Sequence, residues 1–145
     1  MMKVFFILVL ICLLTGNVLA ADLDEDNCDG ANNMKISACY ESILDKTDKK
    51  MNSIYQRILS VSLQSDKDSK NQWGYVKAIK SSQQDWIKFR DDECNFRTVS
   101  FEGGDIRGRL YRECQIELTR SRINNLEMAF DCLDQNDDYT CYHFH

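Results

Sequence analysis

Three groups of side chains in this sequence could do chemistry: two histidines beside a cysteine, a run of carboxylates, and a set of cysteines able to oxidise. His143 and His145 are the only histidines, and they end the chain. Nucleophilic catalysis needs a serine or cysteine activated by a base, and that base is usually histidine. A base three residues from a chain end has little to hold it, so no catalytic residue is expected. Cys141, His143 and His145 alternate and would meet one ion only in an extended tail, whereas structural zinc takes four ligands at more rigid spacing. The expectation is therefore no metal and no cofactor. Asp91, Asp92 and Glu93 are consecutive, and glycoside hydrolysis needs two carboxyl groups facing each other across a cleft. Consecutive acids on a helix form a solvated face, or a contact for a partner when exposed, and the reading is a protein that is not an enzyme.

The cysteines carry a stronger signal. There are seven, and Cys12 sits in an apolar run behind Leu10-Ile11, where a lipid-attachment cysteine would want small residues. The remaining Cys28, Cys39, Cys94, Cys114, Cys132 and Cys141 are an even set, which argues for disulfides if the chain is exported. Proximity along the chain suggests Cys28 with Cys39, Cys94 with Cys114 and Cys132 with Cys141, although spacing does not choose among the alternatives.

Export is what the first residues predict. Lys3 gives a positive start, Val4 to Leu14 an apolar run, and Val18-Leu19-Ala20 small residues at the cleavage-recognition positions, which is the layout of a secretory signal peptide. The run falls short of the roughly 20 apolar residues that a membrane-spanning helix needs. Residues 1–20 are thus expected to be removed, leaving a single domain with a short tail over residues 21–145 and no transmembrane segment. Without Lys3 the formal charge moves from −5 to −6, which disfavours nucleic acid and favours a basic partner.

The elements that would position these residues are helices. Proline is absent and only six glycines occur. Ile36, Tyr40, Ile43, Thr47, Met51, Ile54 and Ile58 recur at three and four residues, the spacing of one buried helical stripe. Polar residues crowd Asp45 to Lys50, where a break is expected with Asp48 capping a second segment. The polar stretch Ser65 to Ser69 reads as the first connection. Trp73, Val76, Ile79, Gln83, Trp86 and Phe89 form a second stripe that ends near Cys94 to Phe96. Thr98 to Phe101 could be extended before a turn at Gly103-Gly104. A last helix runs from about Ile106 to Cys132, with Leu110, Cys114, Leu118, Ile123, Leu126, Phe130 and Leu133 inward. Arg90 follows an apolar pair, so its stem should lie on the core while its guanidinium reaches Asp48 or Asp91. The predicted fold is all-α: a small antiparallel bundle of three or four helices stapled by disulfides.

Several strings resemble a known family. Cys28, ten residues, Cys39 and then Asp48-Lys49-Lys50-Met51-Asn52-Ser53-Ile54-Tyr55 are similar to the opening of the LprI-type lysozyme inhibitor domain. The likeness continues in Gln84-Asp85-Trp86-Ile87-Lys88-Phe89-Arg90-Asp91-Asp92-Glu93-Cys94, in Gly103-Gly104, and in Cys114 through Arg122, and it covers about Cys28 to Glu127. Met51 stands where the family often has leucine, and Asp105 where a serine follows the glycines. The resemblance implies an exported bacterial helical domain, periplasmic or secreted, with Cys28, Cys39, Cys94 and Cys114 as the family's cysteines. It also implies inhibition of lysozyme by direct binding. The motif residues Asp48, Asn52, Tyr55, Trp86, Phe89, Arg90, Asp91, Gly103, Gly104, Thr119 and Arg122 read mainly as structural.

The expected function is that of an exported protein-binding domain that occludes lysozyme or a related cell-wall hydrolase. The alternative is a cell-envelope binding or structural module with a different partner. Expected contacts are the connection from Phe101 to Arg107, including Asp105, and the acids Asp91, Asp92 and Glu93.

Overall fold

The computed structural model describes residues 28, 33–70, 72, 74–101 and 104–135. They form three helices, α1 (Asn33–Asp68), α2 (Tyr75–Thr98) and α3 (Asp105–Gln135), and no strand occurs among the described residues. The expected signal peptide over residues 1–20, the tail from Tyr139 to His145, Trp73 and Gly103 lie outside the described residues. No helix among the described residues is long and apolar enough to cross a membrane.

α1 is built on one unbroken inward stripe. Ile43, Thr47, Met51, Ile54, Ile58, Ser62 and Asp66 are all buried, at steps of three and four that keep them on one helical face. The break expected at Asp45 to Lys50 does not occur. The polar residues there divide between faces: Asp45 pairs with Lys49 at 2.6 Å on the exposed side. Thr47 donates its buried hydroxyl to the Ile43 carbonyl at 2.7 Å. Asp48 therefore caps no second segment. Solvated i,i+4 pairs support a helix, so local polarity did not amount to a terminator.

The connection expected at Ser65 to Ser69 is likewise helical as far as Asp68, and its buried acid has a specific task. Gly74 precedes α2 with φ of 69° and offers no side-chain cap. Asp66 reaches across from α1 instead, and its carboxylate accepts the Tyr75 N–H at 2.9 Å and the Val76 N–H at 3.0 Å. Two orphan donors are thereby satisfied, and a negative charge sits at the positive end of the α2 dipole. Asp66→Ala should lower stability by about 1–2 kcal/mol, the usual cost of a lost N-cap, as measured by urea unfolding. A change below about 0.3 kcal/mol would show that water caps α2 equally well.

α2 ends later than expected, and Thr98 to Phe101 is not extended. Val99 keeps helical angles (φ −61°, ψ −30°), and the Phe101 N–H donates to the Thr98 carbonyl at 3.1 Å. Thr98 turns its hydroxyl back onto the Cys94 carbonyl at 2.8 Å, so this β-branched residue closes the helix rather than opening a strand.

The chain runs up, down and up. Contacts of α1 with α3 keep one parallel register: Arg112 lies 3.7 Å from Glu41, Lys50 lies 3.7 Å from Glu127, and the Arg57 guanidinium covers the Phe130 ring at 3.9 Å. α2 runs antiparallel to both. The α1 and α3 stripes build two apolar clusters. One gathers Met51, Ile54, Ile58, Ile123 and Leu126, with Trp86, Tyr55 and Phe130 packed against it. The other gathers Cys28, Ile43 and Ile116. Two disulfides staple the bundle, Cys28–Cys39 and Cys94–Cys114, with Cα–Cα separations of 5.9 and 5.6 Å. Cys132 is also disulfide-bonded, while Cys141, its expected partner, lies outside the described residues.

Candidate functional site

Between the two apolar clusters the helices place a polar layer, one position deep on each. Thr47 separates Ile43 from Met51 on α1, Thr119 separates Ile116 from Ile123 on α3, and Arg90 faces them from α2. The Arg90 side chain is only 9% exposed, and its Nη1 donates to Asp48 Oδ1 at 2.8 Å and to Thr119 Oγ1 at 3.2 Å. Its Nε donates to Asp91 Oδ1 at 3.0 Å. Thr119, fully buried, donates its own hydroxyl to the Gln115 carbonyl at 2.7 Å. Gln115 in turn donates from Nε2 to Asp91 Oδ1 at 2.9 Å. One guanidinium thus ties α1, α2 and α3 at a single level.

Trp86 lies one turn before Arg90 and takes cations on its ring from two helices, with Arg90 at 5.4 Å and Arg122 at 5.8 Å from the ring centre. Arg122 is held by Gln83 Oε1 at 3.2 Å and Ser82 Oγ at 3.0 Å. Burial lowers the Arg122 pKa from its ordinary value. Gln83 also donates to the Met51 sulfur at 3.4 Å, a weak bond that closes the layer toward the larger apolar cluster. Asp48, Trp86, Arg90, Asp91, Thr119 and Arg122 therefore meet in one network. Tyr55 packs on the apolar cluster below it, and Asn52 points to solvent.

Phe89 departs from its expected place in the buried stripe. The inward positions of α2 are Gln83, Arg90, Cys94 and Thr98, and Phe89 precedes Arg90 by 100° of helical rotation, which turns it outward to 51% exposure. A charged residue holds the inward position because three polar partners wait there. Leu118, also expected inward, is half-buried, and Ile116 takes the core position instead.

The four acids proposed as contacts do not share one surface. Asp91 and Asp92 line a shallow groove with Asn95, Gly104, Arg107, Gly108 and Tyr111. Gly104, at φ of 84°, starts α3 against it, and Arg107 bridges the groove by donating to Asn95 Oδ1 at 2.9 Å. Tyr111 has its pKa raised above the usual value by burial and by the charge of Asp91, so its phenol is neutral at physiological pH. Glu93 turns to the opposite side and pairs with Arg97 at 2.8 Å, which also reaches Glu117 at 3.4 Å. Asp105 lies on a third flank with Ile36, Ser37, Ile106 and Arg109.

Tyr111, Asn95, Gln115 and Asp66 escaped the reading of the sequence. Gln115 carried no signal of its own, since its neighbour Cys114 points inward and the next position on a helix is turned by 100°. Cys141, His143 and His145, where no metal is expected, lie outside the described residues. Among those described, no group of acids, cysteines and histidines could hold an ion.

Comparison with known proteins assigns the family. A family model described as lysozyme inhibitor LprI matches residues 26–126, a span that takes in both described disulfides and the whole polar layer. An uncharacterized protein of Rhizobium meliloti (strain 1021) is 27% identical over 125 residues, covering 83% of this chain and 88% of that protein. No solved structure matches. On the strength of the family match, this chain belongs to the lysozyme inhibitor LprI family.

Proposed function

We propose that this protein is exported and inhibits lysozyme, or a closely related cell-wall hydrolase, by binding it directly and occluding it. The match to an inhibitor family over residues 26–126 carries the reading. Two disulfides support a place outside the cytoplasm, as does the leader-like run before Ala20. Inhibition by binding asks no chemistry of the chain, and the polar layer is arranged accordingly. Asp48 and Asp91 are both engaged by Arg90, which makes them part of the bundle's structure.

Charge supports a basic partner in an unexpected way. Seven of the 23 acidic residues lie before residue 33 or after residue 135: Asp22, Asp24, Glu25, Asp26, Asp29, Asp137 and Asp138. Only Lys3 of the 18 basic residues lies there. The helices are therefore close to neutral, and the acidity belongs to the chain on either side of them. Such charge steers a cationic enzyme toward the bundle, raising the association rate more than the affinity, while the helices supply the contact.

The test is lysis of a cell-wall suspension by c-type lysozyme with and without the oxidised protein at stoichiometric excess. The expected result is inhibition that weakens as salt is added, because surface charges are screened over about 10 Å at 0.1 M salt. Full lysis at low salt with the protein present would overturn the reading.

A further inference from the structure

The outward face of α2 is more apolar than a solvated helix face needs to be. Asp85, Phe89, Asp92, Phe96 and Val99 follow one another at steps of four, three, four and three, so they form a single stripe. None of them packs on the core. Phe96 is 74% exposed and Phe89 51% exposed, and Phe101 continues the apolar surface beyond the helix end. Phe89 and Phe96 stand two turns apart on this face with Asp92 between them, and exposed apolar side chains grouped on one face of a domain mark contact sites. The Asp91–Asp92 groove opens beside this stripe, so α3 adds Tyr111, Gly104 and Gly108 to the same side of the bundle.

We infer that this stripe, Phe89, Asp92 and Phe96 with the adjoining groove, is the surface that seats the target enzyme, and that the target places a lysine or arginine on Asp92 between the two phenyl rings. The inference rests on the inhibitor reading and adds the surface and the chemistry of the contact. The central acid is what chooses the occupant. A second copy of this chain packed antiparallel about the middle of the stripe would bring Asp92 against Asp92, a like-charge contact that an interface avoids. A cation from a basic enzyme is the complement instead. Asp92 is free to accept it: its side chain is 68% exposed and its present partner is the equally solvated Lys88, an exposed pair of a kind that contributes little and exchanges readily. The flanking rings add cation–π contact and exclude water around the new pair.

The test uses the full oxidised protein with c-type lysozyme as the probe, reading both lysis and equilibrium binding. Phe89→Gln combined with Phe96→Gln, and separately Asp92→Lys, should each weaken inhibition and binding at least tenfold. Leu63→Gln, an exposed apolar change on α1, should stay within twofold of the parent. Unfolding midpoints of all three should match the parent, which separates lost contact from lost fold. If the parent inhibits and every variant inhibits equally, this surface is wrong while the inhibitor reading stands. If the parent neither binds nor inhibits, both fall together. A parent that sediments as a dimer and becomes monomeric with Phe96→Gln would make the stripe a self-interface and overturn the inference.

Discussion

Arg90→Ala is expected to lower the free energy of unfolding by about 3 kcal/mol, near the lower end of the range for breaking a buried ion pair. The figure sits low because Asp48, 34% exposed at its side chain, regains water once the guanidinium is gone. The loss comes from the bonds to Asp48, Asp91 and Thr119 and from the space left where three helices meet. Arg90→Lys should recover roughly half of the loss, since an ammonium keeps the charge but cannot fork toward Asp48, Asp91 and Thr119 together. Arg90→Met tests what the layer is for. A thioether of similar length fills the space without a charge, and combined with Asp48→Leu it replaces the ion pair between α1 and α2 as a whole, which is often neutral, whereas Arg90→Met alone strands Asp48. If the layer sets the register of α1, α2 and α3, Arg90→Met with Asp48→Leu should keep most of the stability yet broaden the amide spectrum and loosen the Asp91–Asp92 groove. A double-mutant cycle between Asp48 and Arg90 should give a coupling of about 1 kcal/mol or more. Arg90→Ala falling within about 0.5 kcal/mol of the parent would show that the network is a surface ornament.

That layer also marks how far the sequence could be read. The stripes from Ile43 to Ile58 and from Ile123 to Leu133 declared themselves, because apolar spacing is set by the helix itself. The pairings Cys28 with Cys39 and Cys94 with Cys114, suggested by proximity, are the ones that form, although spacing alone left the alternatives open. The errors have a common cause. Local polarity at Asp45 to Lys50 and Ser65 to Ser69, and the β-branched and aromatic side chains of Thr98 to Phe101, point away from helix, and in each case a distant partner or a turn within the helix decides otherwise. Asp66 is the clearest instance: as a residue of a polar stretch it looks like a loop, and only the position of α2 reveals it as a cap. Phe89 errs in the opposite direction. Its apolar side chain fits the inward spacing almost as well as Arg90 does, and the choice between them depends on Asp48 and Thr119, 42 and 29 residues away. Periodicity locates a face to within about one residue, and the identity of the buried partner fixes the rest.

Removing the Cys94–Cys114 bridge should cost about 3 kcal/mol in the chain-entropy account for a loop of this length, the separation being 20 residues. With a stability change of that size, the thermal midpoint of a domain this small should fall on the order of 10 °C or more. Cys94→Ala with Cys114→Ala is the variant to measure, by thermal unfolding without reductant. The Cys28–Cys39 bridge closes a shorter loop of 11 residues, and removing it should cost slightly less, about 2.8 kcal/mol. The two losses are to be distinguished by function. Cys94 is fully buried and lies between Asp91 and Asn95 on α2, while Cys114 follows Tyr111 on α3. This bridge clamps together the two helices that wall the proposed contact groove. Cys28–Cys39 fastens the chain to the start of α1, beside Ile43 and Ile116, and touches none of that surface. Measured well below both midpoints, the variant lacking Cys94–Cys114 should lose inhibition while the variant lacking Cys28–Cys39 keeps it. Loss confined to the variant lacking Cys28–Cys39 would place the contact at the Cys28 end of the bundle, and unchanged stability in both would show that helix packing alone holds the fold.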